Sequence, residues 1–439
     1  MNTFTIEPTS TLRGTLRMPG DKSITHRAIM MTSLAHGTSE VTRYGRGEDC
    51  LNTMRAFRAM GIEIEETPEK LTVHGKGFWG LREPSGFIDC GNSGTGIRLM
   101  AGLLAGQEFF TILTGDESIR RRPMGRVVRP LREMGAIIAG RRGGELAPLA
   151  ITGSKLRGID YRSPVASAQV KSSVLLAGLT AEGTTRVTEP RQSRDHTERI
   201  FQYFGVPCRA DGGSVEIDGR PVDGWQAQSI SVPGDFSAAA FFLVAGTIVA
   251  DSDITIEHVG VNPTRTGLLT ILTRMGAKID VVNRCEEGGE PVADLRVRPA
   301  TLTGTTVRSE EIAPTIDEFP ILCVAAALAS GETTIAGAEE LRVKESDRIA
   351  TMATELRKMG VAVEERPDGM TIQGIGGTKR LTGSTFQSYG DHRVAMSMSV
   401  AALVATGSST VQDTECVGTS FPGFLPTLHS LLTGGRRCL

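Results

Sequence analysis

Met18-Pro-Gly-Asp-Lys-Ser-Ile-Thr-His-Arg27 places a turn, a cation and a hydroxyl at the mouth of an apolar helix. Pro19 and Gly20 break the strand-like run before them, Asp21 can cap, and Ala28-Ile-Met-Met31 continues as helix. A helix start offers N–H groups without intrahelical acceptors and the positive end of a dipole. Lys22 and Ser23 at that start, with His26 and Arg27 a turn further on, can hold a phosphate or a carboxylate. Taken alone, the stretch also reads as an ordinary basic turn. It is not a P-loop, because the Gly-x-x-x-x-Gly-Lys spacing is missing.

The turn has an echo. Pro233-Gly-Asp235 lies 214 residues on, about half of the 439-residue chain, and again precedes an apolar helix, Phe236 to Val244. The second copy reads Asp235-Phe-Ser-Ala where the first reads Asp21-Lys-Ser-Ile, so the cation is specific to one half.

A finer repeat runs beneath this one. Helices of spaced apolar and basic residues close at Met60-Gly61, Met134-Gly135, Phe204-Gly205, Met275-Gly276 and Met359-Gly360, and Leu428-His-Ser-Leu-Leu-Thr-Gly434 has the form of a sixth. Glycine there fits a helix C-cap. These glycines are 74, 70, 71, 84 and 74 residues apart. Between them, small-residue helices pass through a turn into β-branched strands, as in Leu175-Leu-Ala-Gly-Leu-Thr-Ala-Glu-Gly183-Thr-Thr and Ala325-Ala-Ala-Leu-Ala-Ser-Gly331-Glu-Thr-Thr-Ile. Each unit reads as β-α-β-α-β-β, too small to bury its own apolar face, so neighbours must share cores. The expectation is an α/β (α+β) protein of six units, three per domain. One domain is discontinuous, 1–18 plus 234–439, the other spans 19–233, and the chain crosses between them near the Pro-Gly-Asp turns.

Composition narrows the function. A net charge of −2 gives no bulk attraction to nucleic acid or membrane, so anionic ligands must be met by local clusters. Aromatics at 5% argue against a base-stacking surface. The N-terminus lacks a signal-peptide pattern and no apolar run has membrane-spanning length, so a soluble cytoplasmic protein is expected. The seven cysteines (50, 90, 208, 285, 323, 416 and 438) are odd in number and lack Cys-x-x-Cys spacing, and the seven histidines show no ligand spacing. Reduced thiols and no metal are expected.

Other stretches can carry chemistry. Cys90-Gly-Asn-Ser-Gly-Thr-Gly-Ile-Arg98 is a glycine-rich entry to a helix where amides can converge on phosphate. Arg120-Arg-Arg122-Pro123 is either a ligand cluster or a solvated face, with Pro123 suited to a first helical turn. Ser163-Pro-Val-Ala-Ser-Ala-Gln169 and Ser193-Arg-Asp-His-Thr-Glu-Arg199 supply donors at helix starts, where they can equally be caps. Val343-Lys-Glu-Ser-Asp-Arg348 opens a helix with Lys344 and Arg348 on one face, which can be an intrahelical salt-bridge face. Asp317 before Phe319-Pro320 can be an N-cap, and Gly390-Asp-His-Arg393 heads another small-residue helix. Charged residues at helix starts in both halves favour a site where many N-termini converge.

In order, Pro-Gly-Asp-Lys-Ser-x-x-x-Arg, Gly-Asn-Ser-Gly-Thr, Arg-Pro-Met, Ser-Ala-Gln, Arg-Val-Lys-Glu-Ser-Asp-Arg and Asp-His-Arg resemble the 5-enolpyruvylshikimate-3-phosphate synthase family of enolpyruvyltransferases, over essentially the whole chain. The resemblance implies a two-domain inside-out α/β barrel with the active site in the cleft between the domains. It implies transfer of the enolpyruvyl group of phosphoenolpyruvate to the 5-hydroxyl of shikimate 3-phosphate, with release of phosphate, in the chorismate pathway. No cofactor or metal is implied, and the partners are small-molecule substrates of a cytoplasmic monomer.

Carried over by motif, Lys22, Ser23, Arg27, Ser167, Gln169, Ser193, Asp317 and Lys344 match binders of shikimate 3-phosphate. Lys22, Asn92, Gly94, Thr95, Arg122, Gln169, Arg348 and Arg393 match the phosphoenolpyruvate site, the last two suited to a carboxylate. Asp317, Glu345 and Lys22 form the implied catalytic set. Ala168 replaces a second serine, and Thr419 stands where many members carry a lysine. By resemblance, glyphosate should compete at the phosphoenolpyruvate site. The sister enzyme acting on UDP-N-acetylglucosamine carries a reactive cysteine where this chain has Glu117. A non-catalytic phosphate-binding module is the alternative from another class.

Overall fold

Gly61, Gly135, Gly205, Gly276 and Gly360 take φ between 73° and 102°, the left-handed region that only glycine enters without a Cβ penalty. In each case the amide one residue further on donates back over the last turn: Ile62 to Phe57 (3.0 Å), Ala136 to Leu131 (2.9 Å), Val206 to Phe201 (2.8 Å), Ala277 to Leu272 (2.9 Å) and Val361 to Leu356 (3.2 Å). That is the Schellman ending. It stops the helix and turns the next apolar residue inward. Ile62, Ala136, Val206 and Val361 are all buried. The computed structural model describes residues 2–219, 223–377 and 380–433, so Gly434 and Cys438 lie outside the described residues.

Among the described residues there are twelve α-helices of eight or more residues: α1 (Lys22–Ser33), α2 (Glu48–Ala59), α3 (Gly94–Ala105), α4 (Gly125–Glu133), α5 (Ala168–Gly178), α6 (His196–Tyr203), α7 (Phe236–Ile248), α8 (Gly267–Met275), α9 (Phe319–Leu328), α10 (Arg348–Lys358), α11 (His392–Ala402) and α12 (Phe424–Leu432). They alternate in character. The odd-numbered helices are almost wholly buried, with what charged residues they have in their first two turns, whereas the even-numbered ones are one-sided. In α4, for example, Val127, Val128 and Leu131 are buried while Arg129 is exposed.

Each pair of helices goes with one sheet. Asp160–Arg162 lies parallel to Gly183–Thr188, with α5 between them in sequence. After α6 comes the hairpin Arg209–Asp211 and Ser214–Gly219, whose second strand pairs antiparallel with Gly183–Thr188. The same order of first, second, fourth and third strand recurs in four of the six mixed sheets. Three of those sheets draw on strands from distant parts of the chain. Thr11–Arg17 pairs with Asp251–Gly260 across α7, Trp225–Gln226 and Ile230–Ser231 pair with Ala35–Thr42, and Phe4–Ile6 supplies the last strand beside Ser409–Gln412. A strictly linear reading of six consecutive units therefore needs correction at these three places.

The chain divides into two compact units. One holds the residues through Pro19, Gly234–Cys285 and Pro291 onward; the other holds Gly20–Pro233 with Glu286–Glu290. Each has its own hydrophobic core, centred for example on Phe241, Phe242, Phe421 and Phe424 in the first and on Phe57, Met100, Val174 and Phe201 in the second. At the crossings, Asp235 N–H donates to Pro19 C=O (2.9 Å) within the first unit, and Asp21 N–H to Pro233 C=O (2.8 Å) within the second. Gly20 is required there, since a Cβ would stand 1.9 Å from the Arg43 carbonyl oxygen. No helix among the described residues is long and apolar enough to cross a membrane.

Candidate active site

In the Gly20–Pro233 unit, Asp21 caps α1 by accepting from the Ile24 N–H (3.0 Å). Lys22 Nζ reaches Asp49 Oδ2 at 2.8 Å, so a buried carboxylate in the first turn of α2 holds the cation in place. Arg27 is buried and braced: Nε donates to Thr197 Oγ1 (2.7 Å), Nη1 to the Ser23 carbonyl (2.8 Å) and Nη2 to Ser172 Oγ (2.8 Å). Burial lowers its pKa to about 10, which leaves it charged at neutral pH.

His26 does not join the cations. It is fully buried between Thr53 Oγ1 (2.7 Å) and Ser93 Oγ (3.2 Å), and burial, then Lys22 and Arg27, lower its pKa to about 3. It serves as a neutral strut from α1 to the cap of α3.

Ser93 caps α3, accepting from Gly96 N–H (2.9 Å), and Asn92 Nδ2 donates to Asp116 Oδ2 (2.7 Å). A Cβ on Gly94 would lie 2.9 Å from Arg122 Nη2, so the guanidinium sits against the first turn of α3 where the helix amides lack intrahelical acceptors. The arginine run splits accordingly: Arg120 and Arg121 are exposed, Arg122 is buried. Pro123 precedes α4 rather than opening it, because Arg122 before it is extended (ψ 144°) and α4 starts at Gly125. Helices α3 and α5 touch at Gly102, where a Cβ would be 2.0 Å from the Ser173 carbonyl oxygen. One turn earlier, Arg98 Nη1 donates to Gln169 Oε1 (2.6 Å), and Gln169 Nε2 donates to Thr95 Oγ1 (3.1 Å). The two helices thus bring their N-termini together.

Ser167 caps α5, and Glu189 accepts from the Ser167 N–H (2.9 Å), the Ser193 N–H (3.2 Å) and the Ser193 hydroxyl (2.8 Å). Lys171 lies buried between Glu189 (3.1 Å) and Glu198 (2.7 Å); burial opposes its charge, but the two carboxylates outweigh it and raise its pKa. Lys22, Ser23, Arg27, Asn92, Gly94, Thr95, Arg122, Ser167, Gln169 and Ser193 therefore all sit at the starts of α1, α3 and α5 or in the segments beside them.

The discontinuous unit gathers the rest. Asp317 meets Arg348 Nη1 (3.4 Å), Arg393 Nη2 (3.6 Å) and Arg265 Nη1 (3.7 Å). It is not the cap of α9. Glu318 holds the N-cap position without a side-chain cap bond, while the Asp317 carboxylate is engaged with the arginines. Arg348 is buried, with Nε on Asp391 Oδ2 (2.8 Å) and Nη2 on Glu345 Oε2 (2.7 Å). Burial works against its charge, and Asp391, Glu345 and Asp317 together outweigh burial and raise its pKa. Residues 344–347 are not helical: α10 starts at Arg348 under an Asp347 cap, so Lys344 and Arg348 do not share a helix face and Glu345 pairs with Arg348 instead. Arg393 Nη1 donates to the Asp317 carbonyl (3.0 Å). Lys344 is half-buried at the end of a 3-10 turn.

Chemically, one unit offers cations and helix amides suited to phosphate and carboxylate. The other offers three guanidinium groups, those of Arg348, Arg393 and Arg265, converging on the Asp317 carboxylate beside a second carboxylate, a set that can bind an anion and move protons. A family model described as EPSP synthase (3-phosphoshikimate 1-carboxyvinyltransferase) matches residues 6–428. The chain belongs to the EPSP synthase family. It is 54% identical over 432 residues to the 3-phosphoshikimate 1-carboxyvinyltransferase of Geotalea uraniireducens, covering 98% of this chain and 100% of that one. The corresponding Geobacter metallireducens protein is also 54% identical, with 98% and 99% covered. The solved EPSP synthase from Acinetobacter baumannii superposes with a TM-score of 0.87 at 45% identity, covering 98% of both chains.

Against the EPSP synthase motifs, Ala168 is the first residue of α5, directly after the capping Ser167. Thr419 donates its hydroxyl to the Cys416 carbonyl (2.7 Å). Glu117 is exposed and pairs with Arg121 (3.1 Å). Sequence reasoning passed over Asp49, Arg98 and Arg265. Arg98 left a signal: it is the one charged residue in α3, and a charge inside an all-buried helix must find partners.

Proposed function

We propose that the EPSP synthase activity of this chain transfers the enolpyruvyl group of phosphoenolpyruvate to the 5-hydroxyl of shikimate 3-phosphate. Lys22, Ser23, Arg27, Ser167, Gln169 and Ser193 take shikimate 3-phosphate. Asn92, Gly94, Thr95 and Arg122 take the phosphate of phosphoenolpyruvate, with Lys22 and Gln169 shared between the substrates. Arg348 and Arg393 take its carboxylate. The observation that carries this assignment is the convergence of Arg348 and Arg393, at 3.4 and 3.6 Å, on the single carboxylate of Asp317. Two guanidinium groups that meet on one carboxylate are arranged for that group.

The reaction proceeds by addition and elimination. The 5-hydroxyl loses its proton as it attacks the enol carbon, and the methylene carbon gains one. The tetrahedral adduct then gives up phosphate while the new methyl group returns a proton. Asp317 and Glu345 divide this proton work, with Lys344 beside the hydroxyl and Lys22 as the remaining catalytic cation. We also infer that each unit repeats its β-α-β-α-β-β element three times about a pseudo-threefold axis, as an inside-out α/β barrel. The shared strand order of the sheets supports this. The free cysteines among the described residues, Cys50, Cys90, Cys208, Cys285, Cys323 and Cys416, support a cytoplasmic setting. A phosphate-release assay tests the reading: release is expected only when shikimate 3-phosphate and phosphoenolpyruvate are both present, and release with either alone would overturn it.

A further inference from the structure

We propose that Arg98 is a positioning residue that fixes which end of the Gln169 amide is presented to the anionic substrates. The inference rests on Gln169 being a ligand-binding residue, as proposed above. A glutamine amide can be turned end for end with almost no change of shape, yet one end only accepts hydrogen bonds and the other only donates. An anionic oxygen needs the donating end.

Arg98 removes the ambiguity. A guanidinium has donors and no acceptor, and Arg98 Nη1 stands 2.6 Å from the Gln169 oxygen. The oxygen is therefore held toward Arg98 and the NH2 group is turned away from it. One N–H goes to Thr95 Oγ1 at 3.1 Å, on the first turn of α3. An NH2 group has two, so the second can meet a phosphate or carboxylate oxygen. With the amide reversed, NH2 would face a guanidinium and the carbonyl lone pairs would face the substrate.

The same guanidinium steadies Arg122. Arg98 Nη2 donates to the Pro123 carbonyl at 2.9 Å, one residue past Arg122, whose own guanidinium lies against Gly94. Arg98 is 4% exposed, so it acts through contacts inside the protein, these two among them. The close crossing at Gly102 sets the register that makes the contacts possible.

The test is a double-mutant cycle on the full chain with Arg98→Met, Gln169→Ala and the pair, reading kcat, KM for each substrate and the melting temperature. Arg98→Met is expected to raise KM for phosphoenolpyruvate roughly tenfold or more with kcat changed less than about threefold, and Gln169→Ala to do the same. The double variant is expected to match the worse single within about twofold, because the second change removes an interaction already lost. Arg98→Lys keeps the charge but cannot bridge Gln169 and Pro123 together, so its KM should fall between wild type and Arg98→Met. Should Arg98→Met fail to fold, the same cycle with Arg98→Lys decides the matter. Effects that multiply, or an unchanged KM in the folded Arg98 variant, would overturn the positioning role while a raised KM in Gln169→Ala leaves the ligand assignment standing. An unchanged KM in Gln169→Ala overturns both.

Discussion

Arg348 Nε lies 2.8 Å from Asp391 Oδ2, and both side chains are almost wholly buried. Asp391 also caps α11 by accepting from the Arg393 N–H (2.9 Å), so one carboxylate orients the guanidinium of Arg348 and the backbone of Arg393, the two arginines proposed for the phosphoenolpyruvate carboxylate. Asp391→Asn keeps the shape of a cap and removes the charge opposite Arg348. Breaking a buried pair from one side costs about 3–5 kcal/mol. The expected result is a denaturation midpoint lowered accordingly and a KM for phosphoenolpyruvate raised roughly tenfold. Equilibrium unfolding and steady-state kinetics on the same preparation check it.

His26 predicts a pH effect on stability. Its ordinary value is 6.5 and in the folded chain it is about 3, mainly because it is buried. Between those values the unfolded chain binds the proton that the folded chain refuses, so stability falls as pH falls through that window. The part lost between pH 6.5 and 5 is about 2 kcal/mol. His26→Asn removes this dependence. The stability gap between wild type and variant is therefore expected to narrow by about that amount from pH 7 to 5. A constant gap in urea titrations at the two pH values would show that His26 titrates normally.

Gly102→Ala tests the α3–α5 crossing. The added methyl would sit 2.0 Å from the Ser173 carbonyl oxygen, which is backbone and cannot swing aside. Spreading the helices is expected to cost about 1–3 kcal/mol, as overpacked cores do. It also draws Arg98 away from Gln169, so KM for phosphoenolpyruvate is expected to rise together with the loss of stability. Thermal melts and kinetics of the variant read both.

These contacts mark where the sequence is legible and where it is not. The helix stops were legible because a Schellman ending imposes a backbone conformation that one residue type satisfies, as Gly61 to Gly360 do. The starts of α1, α3 and α11 were legible because caps and charged residues are local features. Pairings across sequence distance were not. Lys22 with Asp49, 27 residues away, and Arg98 with Gln169, 71 away, depend on which helices pack together. His26 was misjudged for the same reason: its sequence neighbours Lys22 and Arg27 suggest a cationic cluster, while burial beside Thr53 and Ser93 decides its charge. Asp317 was open between cap and acid–base group, because a residue just ahead of a helix can serve as either until its partners are seen.

Asp317 and Glu345 give the sharpest kinetic prediction. Asp317 is contacted by three guanidinium groups at 3.4 to 3.7 Å, and Glu345 lies 2.7 Å from one of them. Asp317→Asn and Glu345→Gln each preserve shape and remove a proton acceptor. Loss of general acid–base catalysis is expected to lower kcat by roughly a hundredfold or more in each. The two differ from a structural defect in the sign of the binding effect. On the proposed assignment, the Asp317 carboxylate competes for Arg348 and Arg393 with the carboxylate of phosphoenolpyruvate, so neutralising it is expected to leave KM for phosphoenolpyruvate unchanged or lower. Shikimate 3-phosphate binding should largely persist in Glu345→Gln, since Lys22, Ser167 and Gln169 are untouched. A purely structural role predicts the reverse: kcat near normal, with a lower melting temperature and a higher KM. Near-normal kcat in either folded variant would remove that residue from the proton transfers and leave Lys344 as the group to examine next.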